Sequence, residues 1–95
     1  MLSKKQPKFS LGQIVATPGA LEALTQNGQA ASIFLERHAH GDWGSVCNED
    51  AAANDEAVIE GLRILSTYKL SDGTKIWIIT EADRSSTCIL LPEEY

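Results

Sequence analysis

The stretch Arg63-Ile64-Leu65-Ser66-Thr67-Tyr68-Lys69-Leu70-Ser71-Asp72-Gly73-Thr74-Lys75-Ile76-Trp77-Ile78-Ile79-Thr80 decides the fold. Its first eight residues are rich in the β-branched and aromatic side chains that suit a pleated sheet. Ser71-Asp72-Gly73-Thr74 then reads as a hairpin turn, because Asp-Gly supplies the backbone freedom that a tight connection needs. Residues 75–80 form the returning strand. Their near-continuous apolar character marks a central strand, covered on much of both faces. Glu81-Ala82-Asp83-Arg84 is a polar corner, and residues 86–91 are a third strand stopped by Pro92. Three strands joined in chain order predict an antiparallel meander.

Working back toward the N-terminus, the period changes from two to helical. Asn48 is read as the cap of a third helix, with Glu49 and Asp50 in its first turn and Gly61 closing it. Ala51, Asp55, Val58 and Leu62 mark one face of that helix, with Ile59 beside it. Residues 29–39 form a second helix, with a stripe of Ala30, Ile33, Phe34 and His38 and its end at Gly41. Thr17-Pro18 starts the first helix, Thr as N-cap and Pro where its missing N–H costs nothing; Asn27-Gly28 stops it. Residues 13–16 read as a short extra strand or extended segment. The expected fold class is therefore α+β: about three N-terminal helices packed on one face of a three-stranded antiparallel meander. Residues 1–8 read as a flexible basic tail and residues 9–95 as a single domain.

Size and charge bound the function. With 95 residues the chain has no room for two lobes around a cleft. Apolar residues make up 43% and charged residues 22%, the balance of a globular domain. Eight Lys and Arg against 13 Asp and Glu leave a net charge of -5, which disfavours direct nucleic-acid binding. No run approaches a membrane span, and Met1-Leu2-Ser3-Lys4-Lys5-Gln6-Pro7-Lys8 lacks the apolar core of a secretory signal. Cys47 and Cys88 read as free thiols of a cytoplasmic protein. No cofactor is called for.

Arg37-His38-Ala39-His40-Gly41-Asp42-Trp43-Gly44, the run from Asp72 to Thr87, and the ending Leu90-Leu91-Pro92-Glu93-Glu94-Tyr95 occur together with the opening Val15-Ala16-Thr17-Pro18-Gly19-Ala20. In this combination the chain resembles small bacterial "plasmid-related" proteins carried on plasmids and integrative elements. The resemblance runs from Phe9 to Tyr95. It implies a mobile-element context and no mechanism. A restriction-enzyme label borne by some members does not suit a chain too short for a methyltransferase or endonuclease fold.

Four constellations are candidates for function. His38, His40, Asp42 and Cys47 offer metal-ligand chemistry at a spacing that matches no closed zinc motif; the structural alternative packs His38 at a helix end and leaves His40 exposed. Glu81, Asp83 and Arg84 could serve as an acid–base or metal corner, or as a self-bonded turn. An Asp42–Arg84 pair would organise these two groups. Trp43, between two glycines, is either a lid on the core or an interface anchor. From Asp42 to Glu60 there are six acidic residues and no Lys or Arg. The expected function is a non-catalytic protein-interaction module. Trp43 would be its anchor, with Asp42, Glu49, Asp50, Asp55, Glu56 and Arg84 around it. One alternative is an acidic inhibitor or DNA mimic acting on host restriction or CRISPR machinery. Another is a small metal-dependent or acid–base enzyme using His38, His40, Asp42, Glu81 and Asp83. The expected partner is another protein, with neither nucleic acid nor membrane. A homodimer could form across a sheet edge at residues 86–91 or 64–70.

Overall fold

The computed structural model describes residues 6–95, so the first five residues of the expected tail lie outside the described part. In chain order it comprises β1 (Gln13–Ala16), α1 (Pro18–Gln26), α2 (Ala31–Ala39), α3 (Asn48–Glu60), β2 (Ile64–Lys69), β3 (Lys75–Thr80) and β4 (Ser86–Leu90). A single 3-10 turn, Pro92–Glu94, follows. The class is α+β, but the sheet is not a three-stranded meander. It has four strands in the order β1-β4-β3-β2, and β1 runs parallel to β4. The helices therefore follow a strand rather than opening the domain. The hairpin is as expected: β2 and β3 pair antiparallel with Tyr68 opposite Ile76 and Ile64 opposite Thr80.

The pleat sorts the sheet residues into two sets. Ile64, Ser66, Tyr68, Ile76, Ile78, Thr80, Thr87 and Ile89 share one face, and all are buried. The helices pack here. Ala20, Ala23 and Leu24 of α1 and Phe34 of α2 join Tyr68, Leu70, Ile76, Ile78 and Ile89 in the main core. A second cluster joins Trp43, Ala57 of α3 and Ile64, with Phe9 packed against it. The opposite face carries Trp77, Ile79 and Leu90, and the C-terminal turn lies against it. Tyr95 meets the Trp77 ring edge-on at 5.6 Å, and its hydroxyl accepts from Arg63 at 3.0 Å.

The helix ends show how local chemistry sets the elements. Thr17 caps α1 as expected, its Oγ1 accepting from the Ala20 N–H at 3.2 Å. The same hydroxyl donates to Glu94, whose carboxylate it holds below the usual range. The second helix starts two residues later than expected, because Gln29 is used elsewhere: its Oε1 accepts from the Ser71 N–H at 2.9 Å. Asn27 likewise receives the Asp72 N–H, so the α1–α2 loop braces the hairpin turn. Asn48 is not a cap. Cys47 holds the cap position without a side-chain bond, and Asn48 is the first helical residue.

Of the two strands expected to offer an open edge, β4 is interior and β2 is an edge strand partly covered. β4 lies inside the sheet, between β1 and β3. Along β2, the outward groups of Leu65 are taken by Asn54, which donates to its carbonyl at 2.7 Å and accepts from its N–H at 3.2 Å. Thr67 is taken by the main chain of the 41–44 turn and the residue after it. Its N–H donates to Trp43 and its carbonyl accepts from Ser45. The free edge belongs to β1, where Ile14 and Val15 are about half exposed.

Candidate functional site

α3 presents two unlike faces. Asn54 and Ala57 are buried, and Ala51 and Val58 pack against Trp43 and Ile64. Leu62, expected on the inner face, is largely exposed instead, because the helix stops at Gly61 in the left-handed conformation (φ 74°). The outer face bears Glu49, Asp50, Asp55, Glu56 and Glu60, all exposed. Among them stands Ile59, 81% exposed, the most exposed of the large apolar side chains described. A groove of about 410 Å³ lies between Lys8 and Asp55, Val58 and Ile59 of the helix. The ion pairs among the described residues are Arg37–Asp42 and Arg63–Glu81, so among these residues no Lys or Arg pairs with the α3 carboxylates.

Trp43 is not at the surface. It is 5% exposed, stacked on Phe9 with ring centroids 6.2 Å apart and in edge contact with His38 at 5.9 Å. Its indole N–H donates to Asp55 at 3.0 Å, which satisfies the one polar atom that burial would otherwise strand. The turn that carries it is held tightly. Asp42 accepts from Arg37 at 2.7 and 3.2 Å, and this bond keeps its carboxyl below the usual range. The Asp42 carbonyl accepts the Tyr68 hydroxyl at 2.6 Å. Gly44 has φ 78°, and a Cβ there would strike the Thr67 carbonyl and the Tyr68 ring. Trp43 is thus packed in the core and offers little surface. Asp42 pairs with Arg37, not with Arg84.

His38 is fully buried in the last turn of α2. Its Nδ1 is 2.5 Å from the Ser66 hydroxyl and its Nε2 is 2.8 Å from that of Thr80. Thr80 in turn meets the Thr87 hydroxyl at 2.7 Å, and Thr87 donates to the Leu11 carbonyl at 2.7 Å. A carbonyl can only accept, so the direction of the whole chain is fixed. Thr87 gives its proton to Leu11, Thr80 gives its own to Thr87, and the His38 Nε2–H donates to Thr80. The Nε2 therefore carries a proton, and in the neutral ring the bare Nδ1 faces the Ser66 hydroxyl, which also meets the Tyr68 phenol. Burial, with the Arg84 charge adding to it, lowers the His38 pKa to about 4. His40 is half-buried rather than exposed, its Nδ1 2.7 Å from the Glu36 carbonyl.

The 81–84 corner is a self-bonded turn. The Ser85 side chain, and after it the Ser85 N–H that donates to Asp83 at 3.0 Å, hold the Asp83 carboxyl below the usual range. Glu81 pairs with Arg63 at 3.2 Å. Arg84 bridges carbonyls, not a carboxylate: its guanidinium donates to Ala57, Leu62, Glu81 and Ala82. Two of those belong to the last turn of α3 and the chain just beyond it, so Arg84 closes that end of the helix. It also lies 5.5 Å over the Phe9 ring. Its φ of 60° is the one left-handed backbone among the described non-glycine residues.

The candidate groups are therefore dispersed. His38 serves hydroxyls, Asp42 and Glu81 serve arginines, and Asp83 serves a backbone amide. Among the described residues no group of three His, Cys, Asp or Glu could hold a metal ion. Among the same residues no helix is long and apolar enough to cross a membrane. What the structure does bring together is the acidic outer face of α3, Ile59 and the adjoining groove. The charge of that face was readable in the sequence, but Ile59 was read as lying beside the inner face. Asn54 was missed because a lone polar residue on an acidic helix reads as solvated. Compared with known proteins, the chain matches no family model, no curated protein and no solved structure.

Proposed function

We propose that this protein is a non-catalytic protein-interaction module of bacterial mobile elements, acting in the cytoplasm, and that it docks a basic protein on the outer face of α3. The observation that supports this is the exposure of Ile59 beside Asp55, Glu56 and Glu60 on a helix whose five carboxylates pair with no Lys or Arg among the described residues. An apolar anchor ringed by one sign of charge suits a partner with the opposite charge. In this reading Ile59 takes the place of Trp43 as anchor, and Glu49, Asp50, Asp55, Glu56 and Glu60 form the rim. The "plasmid-related" resemblance supplies the setting.

The test uses immobilised protein and host lysate, with Ile59→Ser beside the wild type. Ile59 is so exposed that the change should alter stability by less than about 0.5 kcal/mol. The expected result is one basic protein retained by the wild type and lost by Ile59→Ser, with retention weakening as salt rises. Equal retention by both chains would remove the α3 surface from consideration. The acidic inhibitor or DNA mimic is the second reading, favoured by the charge run on a single helix. It requires the retained protein to be a restriction or CRISPR component, and DNA to compete for it.

A further inference from the structure

We infer that residues 8–12 form a clasp over His38, held shut while the imidazole is uncharged and opened when it takes up a proton. The segment crosses the helix-bearing side of the sheet before β1 begins. The Lys8 N–H donates to the Ala39 carbonyl at 2.8 Å, and the Leu11 carbonyl is the terminal acceptor of the buried hydroxyl chain. Between them the Phe9 ring stands edge-on to His38 at 5.2 Å. Gly12 passes so close to the Arg84 and Ser85 main chain that a Cβ would collide with both. The clasp is thus tied to the histidine through one hydrogen-bond chain, which ends at Leu11, and through one aromatic contact.

The chain of bonds explains why a proton matters. It is complete with a neutral ring, the Thr80 and Thr87 hydroxyls each donating once and the bare Nδ1 facing the Ser66 hydroxyl. A proton added at Nδ1 turns that acceptor into a donor facing the same hydroxyl. No carboxylate is hydrogen-bonded to the ring to balance the new charge. The charged and titratable groups around it are otherwise engaged or of the wrong sign. Asp42 binds Arg37, Asp55 of α3 binds the Trp43 indole, the Tyr68 phenol of β2 binds the Asp42 carbonyl, and Arg84 of the β3–β4 turn is itself positive. Lys8, on the clasp, lies against Gly41 and adds a second positive charge on that side. Water is the remaining source of compensation, and Phe9 lies in its way. Lifting the clasp solvates the ring at the cost of the Phe9 contacts with Trp43 and Arg84 and the Lys8–Ala39 and Leu11–Thr87 bonds, whereas opening the sheet would break the main core.

Lys8 also walls the groove beside Ile59. If the docking surface proposed above is real, clasp opening reshapes it and lays bare Trp43; that consequence rests on the docking reading, and the clasp itself does not.

The experiment follows amide hydrogen exchange and the His38 ring resonances of the wild-type protein between pH 7 and pH 4, with no partner present. Failure of the docking reading therefore cannot affect the outcome. The expected result is that the Lys8 amide loses protection by about tenfold or more as the ring titrates, while β3 amides keep theirs. At pH 7 the ring should show the proton on Nε2. Phe9→Ala should move the ring's titration upward toward the ordinary value of about 6.5. Simultaneous loss of protection in the clasp and β3 would overturn the proposal, as would a titration unmoved in Phe9→Ala.

Discussion

His38 ties acidity to folding. In the unfolded chain the imidazole titrates at about 6.5, and in the folded protein burial lowers this to about 4. Between these values the unfolded state binds a proton that the folded state refuses. Its contribution to stability is therefore whole above about pH 6.5 and is lost progressively as the pH falls toward 4. The shift corresponds to roughly 3 kcal/mol. Urea unfolding at pH 7, 5.5 and 4 should show that loss in the wild type and a much smaller one in His38→Gln, whose amide keeps a donor toward Thr80. Trp43 shows the other face of burial at this scale. Its Nε1 needs Asp55, and through that bond one member of the acidic run is drawn into the support of the core.

At the scale of elements, the edge of β2 is guarded by a side chain. Asn54 reproduces with its amide the two bonds that a neighbouring strand would make to Leu65. Asn54→Ala should lower stability by about 1–2 kcal/mol, since two part-buried backbone groups lose their partners. It should also bring on concentration-dependent association in analytical ultracentrifugation, because the edge is then free to pair. Elements whose signals are local were legible in the sequence. Asp72-Gly73 gave the hairpin, and Thr17-Pro18 gave the start of α1. What was not legible depends on partners far away in the chain. A four-residue strand such as β1 carries no mark of whether it pairs parallel, antiparallel or not at all. The inner face of α3 was misread because Asn54 is polar and Leu62 apolar, and their burial is set by β2 and by the stop at Gly61. The acidic run of the candidate site was visible from composition alone. That Trp43 turns inward follows from packing on Phe9 and His38, which no spacing rule encodes.

Across the whole molecule the charge is uneven. The net charge of -5 is gathered on α3, while Arg37 and Arg63 pair with carboxylates elsewhere and Arg84 binds main-chain carbonyls, not the α3 carboxylates. Glu56 and Glu60 are four residues apart on one helix and oppose each other there. Added salt screens such repulsion, so moving from 50 to 500 mM should raise the unfolding free energy by a few tenths of a kcal/mol, read from urea midpoints. The same salt should weaken capture of a basic partner. Folded stability and binding then move in opposite directions in one titration, which separates the two roles of the acids. A further consequence belongs to β1 and its parallel place beside β4. Leu11, just before β1, and Thr87 of β4 are joined by a hydrogen bond across 76 residues of chain. On the ribosome, β1 emerges long before the strand that must receive it, and α1, α2 and α3 are all made in the interval. The sheet cannot be completed before Ser86–Leu90 has been made, so the nascent chain carries Ile14 and Val15 without their partner strand until β4 arrives.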